Sequence, residues 1–315
     1  MRSSNFLRCT RLARAAILVA WLATPSGPAD AQAPSSPSRH DVRADDGHTL
    51  VLWEKHPAAT ARGEIVLLHG RTWSALPNFD LHAPGQDVSL MDALVARGYA
   101  VYALDQRGYG STSRDKTGWL TPDRAERDAA NVADWVAARA PNTRRPVLFG
   151  YSRGSATVML AAQRHPEKIS ALILYGFYYD IAKTPALIPE PASPPRERTT
   201  AAGAAEDFIT PDSTPAGVKE AYVKSATTLD PVRVDWRREE TFSELDPAAV
   251  TTPTLVINGE RDPYAAGGNI PAFLSKLAAV DRWWVVLASS DHVAHLERRA
   301  AFVQVLVSFV ERNRR

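Results

Sequence analysis

The chain has 315 residues, of which 45% are hydrophobic and 23% charged, with 37 Lys and Arg against 35 Asp and Glu. That size and apolar share fit one large globular domain, or one domain with an insertion. A formal charge of only +2 gives no footprint for nucleic acid or an anionic membrane surface as partner.

Residues 1–31 read as a secretory signal peptide. Arg2, Arg8, Arg11 and Arg14 form a basic start, and Ala15 to Ala23 an apolar core too short to span a bilayer. Ala29-Asp30-Ala31 or Ala31-Gln32-Ala33 supplies the small-residue cleavage site. The expected product is secreted or periplasmic, with no stable membrane anchor. Without this segment the basic residues fall to 33 and the acidic to 34, so the charge becomes −1. The single cysteine, Cys9, leaves with the leader, so the mature chain has neither a disulfide nor a thiol nucleophile. Residues 32–40, rich in Pro and Ser, read as a linker, and 41–315 as the folded domain.

Asp45-Asp46-Gly47-His48 between two alternating runs predicts a β-hairpin. Glu64 to Leu68 predicts a strand buried on both faces, ending in His69-Gly70-Arg71-Thr72-Trp73. A helix over Val88–Arg97, closed by Gly98, precedes a strand over Tyr99–Leu104. A helix over Pro122–Ala140, capped by Thr121, precedes a strand ending at Gly150. A further buried strand spans Ile169–Tyr175. These alternations imply a mostly parallel sheet covered by helices on both faces. The alternation stops at Gly176. From about 177 to 249 the chain is Pro-rich, then charged and helical, with a helix predicted over Pro215–Thr227. Such a stretch reads as an inserted, mainly helical cap. The pattern resumes with a strand at Thr254–Asn258, a helix at Asn269–Val280, a strand at Trp283–Leu287 and a helix at His295–Arg312.

The chemistry centres on Gly150-Tyr151-Ser152-Arg153-Gly154, between a strand and a helix. This is the Gly-x-Ser-x-Gly nucleophile elbow. Its glycines let strand and helix backbones nearly touch, and the apex serine is forced into a strained conformation that lifts its hydroxyl. A serine hydroxyl needs a base, and the base a carboxylate to orient it. Strand ends of a parallel sheet open on one edge, so both groups are expected there. His292 follows the last strand and is the expected base; His295 is the rival, placed where a helix begins. Asp262 follows the Thr254–Asn258 strand and is the expected acid, with Asp180 as alternative. Asp105 is assigned to holding the turn around Arg107 and Gly108. A metal reading of Asp291, His292 and His295 is weak, since no third histidine and no cysteine joins them. No metal and no cofactor is expected. The oxyanion hole is assigned to the backbone N–H groups of Arg153 and Arg71, and His69 to bracing the loop. The side chains of Arg71 and Arg153 are either solvated or ready for an anionic substrate group. Trp73, Tyr151, Phe177 and Tyr178 are expected to bind substrate. Tyr179, Tyr222, Trp236 and Phe242 either join them in an apolar pocket or hold the cap together.

His69-Gly70, Asp105-x-Arg107-Gly108-x-Gly110-x-x-Ser113, the elbow, Gly259-x-x-Asp262 and His292 together resemble the α/β-hydrolase family, in its esterase and epoxide-hydrolase-like branch. The resemblance runs from Ile65 to the C-terminus and implies the α/β-hydrolase fold. Epoxide hydrolases and haloalkane dehalogenases of that branch carry aspartate at the elbow. Ser152 points instead to acyl transfer to water. The expected function is a secreted serine hydrolase cleaving a carboxylic ester of a small-molecule acyl substrate through an acyl-serine. Amidase, lactonase, thioesterase or peptidase action on the same residues, and a non-catalytic binding protein, are the alternatives. The sequence does not set an oligomeric state.

Overall fold

A computed structural model describes residues 36–141, 144–179, 190–263 and 269–313. The leader reading (1–31) and Asp180 lie outside the described residues. Ten strands are described: β1 Ser38–Arg43, β2 Thr49–Lys55, β3 Glu64–Leu68, β4 Ala100–Asp105, β5 Trp119–Leu120, β6 Val147–Tyr151, β7 Ala171–Tyr175, β8 Asp235–Trp236, β9 Thr254–Gly259 and β10 Arg282–Leu287. The helices are α1 Ala75–Phe79, α2 Leu90–Ala96, α3 Pro122–Ala137, α4 Arg153–Arg164, α5 Ala201–Ala205, α6 Val218–Leu229, α7 Ile270–Lys276, α8 Ala294–Glu297 and α9 Arg299–Arg312.

Eight strands form one sheet in the order β1-β2-β4-β3-β6-β7-β9-β10. The β1–β2 hairpin and the β2–β4 pair are antiparallel; all other pairs are parallel. This is an α/β-hydrolase fold with a mostly parallel sheet. The central strands β3, β4, β6 and β7 are buried along their whole length. Their continuous apolar runs follow from helices covering both faces. On one face Val66, Leu148 and Leu172 meet Val132 and Val136 of α3 and Val158 of α4. On the other Ile65, Phe149 and Ile173 meet Phe79 of α1, Leu94 of α2 and Phe302 and Leu306 of α9. The edge strand β10 instead alternates exposed and covered residues.

Local signals explain most boundaries. Thr121 caps α3, its hydroxyl accepting from the Arg124 N–H at 3.2 Å. Gly98, at φ +88°, ends the turn after α2. Several expectations need correction. Strand β1 begins at Ser38, inside the stretch 32–40 read as linker, because Ser38 to His40 pair with Leu52 to Glu54. Helix α6 starts at Val218 rather than Pro215, since Gly217 holds a left-handed conformation that no α-helix continues. The final helix is broken at Arg298, whose backbone (φ −127°, ψ 39°) leaves the helical region. The break lets α8 bury His295 and Leu296 while α9 follows the sheet. The cap is not wholly helical either: β8 pairs with β5 as a two-residue parallel ribbon.

No helix among the described residues is long and apolar enough to cross a membrane. Cap residues Phe208, Val218 and Tyr222 pack on Trp73, Val88, Val293 and Leu296. The cap thus rests on the loops that follow β3 and β10.

A Cβ added at Gly154 would lie 2.5 Å from the His69 carbonyl oxygen and 2.6 Å from that of Leu68. Gly154→Ala therefore forces α4 away from β3. It is expected to cost about 1–3 kcal/mol, seen as a lowered denaturant midpoint; an unchanged midpoint would show that the helix has room to move.

Candidate active site

Strand β6 runs directly into α4, with Ser152 between them at φ 53°, ψ −120°. That positive φ is rare and strained for a residue with a side chain. The surroundings over-determine it. The Ser152 N–H donates to the Tyr175 carbonyl at 2.8 Å. The buried Ser155 hydroxyl lies 2.7 Å from the Gly150 carbonyl and 2.9 Å from that of Tyr175. A Cβ at Gly150 would overlap Gly154 and Ser155, and one at Gly70 would lie 3.2 Å from the Ser152 Cβ. Ser152 therefore projects between the ends of β3 and β6. Arg153 opens α4, where its N–H has no partner within the helix and forms part of the positive end of the dipole.

Asp262 and His292 come from the loops after β9 and β10. His292 Nδ1 lies 2.9 Å from Asp262 Oδ2. A carboxylate only accepts, so Nδ1 is the donor in this bond and Nε2 is the nitrogen left to the other side of the ring. Both side chains are buried, at 2% and 1% exposure. The two loops are laced together: Arg261 N–H donates to the Ser290 carbonyl at 2.8 Å, and Ser289 N–H to Glu260 Oε2 at 2.8 Å. The Tyr175 hydroxyl donates to the His292 carbonyl at 2.6 Å. Ser152 and His292 line one cavity of about 510 Å³, together with Gly70, Arg71, Arg153 and Asn78.

His295 sits elsewhere. Its Nε2 donates to the Asn78 carbonyl at 2.9 Å, and its Nδ1 lies 3.1 Å from the Tyr175 hydroxyl. Burial pushes its pKa down to about 3, so it stays neutral. His69 is similar: its Nδ1–H donates to the Gly70 carbonyl at 2.8 Å, and its Nε2 accepts from the Gln106 N–H at 3.2 Å. Burial lowers its pKa to about 4. Both histidines are fixtures of the scaffold. Asp105 accepts from the N–H groups of Ser111 (2.9 Å) and Ala75 (3.0 Å) and from Trp53 Nε1 (2.9 Å), so it braces more than one turn. Burial raises its carboxyl to about 6 despite those donors.

The arginine side chains beside Ser152 have one partner in common. Glu239 of the cap pairs with Arg71 at 2.7 Å and with Arg153 at 3.0 Å. The Tyr109 hydroxyl donates to the Arg71 carbonyl and accepts from Trp236 Nε1 at 2.9 Å. Asp230 accepts from the N–H groups of Ser74 and Gly110, both at 2.8 Å. Cap residues thus hold the loop that carries the Arg71 N–H. Trp73, Tyr151, Phe177 and Tyr178 all line the cavity. Tyr179, Tyr222, Trp236 and Phe242 do not: they pack within the cap or against the sheet. Nor is the cavity simply apolar, since Arg153, Asp207 and Arg233 also line it.

The pattern of the family described as serine aminopeptidase, S33 matches residues 59–299. The chain belongs to this family. A monoacylglycerol lipase from Mycolicibacterium smegmatis is 25% identical over 267 residues, covering 78% of this chain and 87% of the relative. A pyrethroid hydrolase from Sphingobium wenxiniae is 31% identical over 148 residues, 47% of this chain and 46% of that one. Among solved structures, a hydrolase from Pseudomonas aeruginosa superposes with a TM-score of 0.63 at 20% identity, covering 87% of this chain and 98% of the other. The last likeness speaks to fold alone.

Sequence reasoning missed three parts of this S33 hydrolase site. Gly176, at φ +59°, leaves the space that His292 fills: a Cβ there would lie 2.8 Å from His292 Cε1. Its place just after a buried strand was the available signal. The Tyr175 hydroxyl and Asp207 carried none, because their roles arise only when β7 and the cap meet the His292 loop. His295, buried neutral, takes up its proton on unfolding. Its stabilising effect is full above about pH 6.5 and fades as pH falls towards about 3. His295→Gln should flatten the acid limb of unfolding free energy against pH by about 1 kcal/mol per pH unit. An unaltered slope in denaturant titrations would show that His295 already protonates in the fold.

Proposed function

We propose that the protein is a secreted serine hydrolase that cleaves a carboxylic ester of a small acyl substrate. The observation that carries this is the placement of His292: hydrogen-bonded to Asp262 through Nδ1 and sharing a cavity with Ser152. The relatives named for monoacylglycerol and pyrethroid hydrolysis support an ester, and the family description keeps amides as the competing class.

In this reading Ser152 Oγ attacks the acyl carbonyl while His292 Nε2 takes its proton. The N–H groups of Arg153 and Arg71 receive the charge that develops on the carbonyl oxygen, a contribution of several kcal/mol in comparable sites. His292 then gives its proton to the leaving alcohol, and an acyl-serine remains. Water, deprotonated by His292, attacks the acyl carbon and releases Ser152 and the acid. Asp262 keeps the imidazole in the required tautomer and stabilises its cation. The chemistry needs no metal or cofactor, because protein groups supply base, acid and oxyanion donors.

Ser152→Ala is expected to lower turnover of an activated ester on the order of 10⁴-fold or more, and to abolish labelling by a fluorophosphonate probe. Asp262→Asn should also lower kcat on the order of 10⁴-fold by admitting the wrong tautomer. Retained labelling in the serine variant would refute the nucleophile. A panel of matched esters, lactones and amides separates the classes; faster amide turnover would overturn the ester assignment. Export is read from residues 1–31, so the mature chain should begin after Ala31 or Ala33. N-terminal sequencing of protein from the periplasm or medium checks this.

A further inference from the structure

Two polar groups of the cavity are incompletely hydrogen-bonded by the described residues. Tyr151 is 3% exposed and lines the cavity, yet its hydroxyl has no hydrogen-bond partner among the described residues. Its ring lies against that of His292, with centroids 4.9 Å apart. A buried phenol without an acceptor is uncommon in a folded protein. Asp207, on the cap, lines the same cavity. Its one described hydrogen bond comes from the Tyr222 hydroxyl, 3.2 Å from Oδ2. That hydroxyl has a single proton and lies 3.2 Å from Asn78 Oδ1 as well. Asn78 cannot help, since its Nδ2 already donates to the carbonyls of Trp73 (3.0 Å) and Ser74 (2.8 Å). Asp207 thus holds only a shared proton from protein groups; it is half-buried, and burial raises its carboxyl above the usual range. It stands within electrostatic reach of both Tyr151 and His292.

We propose that Tyr151 and Asp207 form a polar subsite that holds a hydroxyl group of the substrate close to the scissile bond. A hydroxyl donates to Asp207 and accepts from Tyr151, completing both groups at once. A bare alkyl chain leaves both unpaired. A substrate carboxylate brings only acceptors and offers Asp207 no donor. An ammonium satisfies Asp207 but gives the phenol proton no acceptor. The natural substrate is accordingly a hydroxylated ester, with the hydroxyl on either the acyl or the alcohol part. This rests on the serine-hydrolase reading above.

The test compares two matched pairs: p-nitrophenyl hydroxybutanoate with p-nitrophenyl butanoate, and glycol monobutanoate with ethyl butanoate. In one pair the wild type should favour the hydroxylated ester by about ten-fold or more in kcat/KM. Tyr151→Phe and Asp207→Asn should each remove most of that preference. Both are near-isosteric, and near-ultraviolet circular dichroism establishes that they fold. The pair that shows the effect tells which side of the ester carries the hydroxyl. No preference in either pair, or a preference that survives both substitutions, overturns the subsite. If fluorophosphonate still labels Ser152 in the wild type, the esterase reading stands without it. A wild type that neither labels nor hydrolyses any of the four esters overturns both.

Discussion

The structure depends on how closely β6, β3 and α4 approach one another around Ser152. Gly150 and Gly154 have no side chain because backbone occupies the space a Cβ would need. That contact forces the positive φ at Ser152 and aims the start of α4 at the place where the hydroxyl emerges. The strain is held by buried bonds, chiefly the Ser152 N–H and the Ser155 hydroxyl on the carbonyl edge of β7. The exposed hydroxyl, the helix dipole and the nearby amides are thus consequences of one packing constraint rather than separate devices.

The loops after β3, β9 and β10 are then built onto that point by hydrogen bonds that cross between elements. Tyr175 joins β7 to the His292 backbone and to His295. His69 and Gln106 join the loop after β3 to that after β4. Buried neutral histidines suit such joints, because they donate and accept at once without carrying charge into the core. The side chains of Ser152, Asp262 and His292 are thus placed by neighbours that are themselves held by hydrogen bonds.

The cap does more than cover the cavity. Glu239 spans Arg71 and Arg153, and Asp230 binds the amides of Ser74 and Gly110. The Glu239 pairs are about one-third exposed on the arginine side, so each adds on the order of 1 kcal/mol or less. Their larger effect is geometric: they tie cap position to the loop bearing the Arg71 amide. Asp291 does the same on the other side, accepting from the cap residue Thr210 at 2.7 Å. Cap and chemistry share these anchors, and the polar character of the cavity follows from them.

The sequence by itself determined the sheet, the elbow and the two loops that supply Asp262 and His292. Buried parallel strands must be continuously apolar, and a strand-to-helix turn with no room for Cβ must be glycine, so both constraints are written as local patterns. Trp73, Tyr151, Phe177 and Tyr178, expected from the sequence to bind substrate, line the cavity. Only the packed chain shows that Glu239 takes up the side chains of Arg71 and Arg153, that Tyr222, Trp236 and Phe242 pack in the cap, and that Asp207 lines one cavity with His292. Those outcomes join residues up to 168 positions apart, as Arg71 and Glu239 are. No short-range period encodes which distant side chains meet, because long-range partners are chosen by how the cap packs onto the sheet's loops.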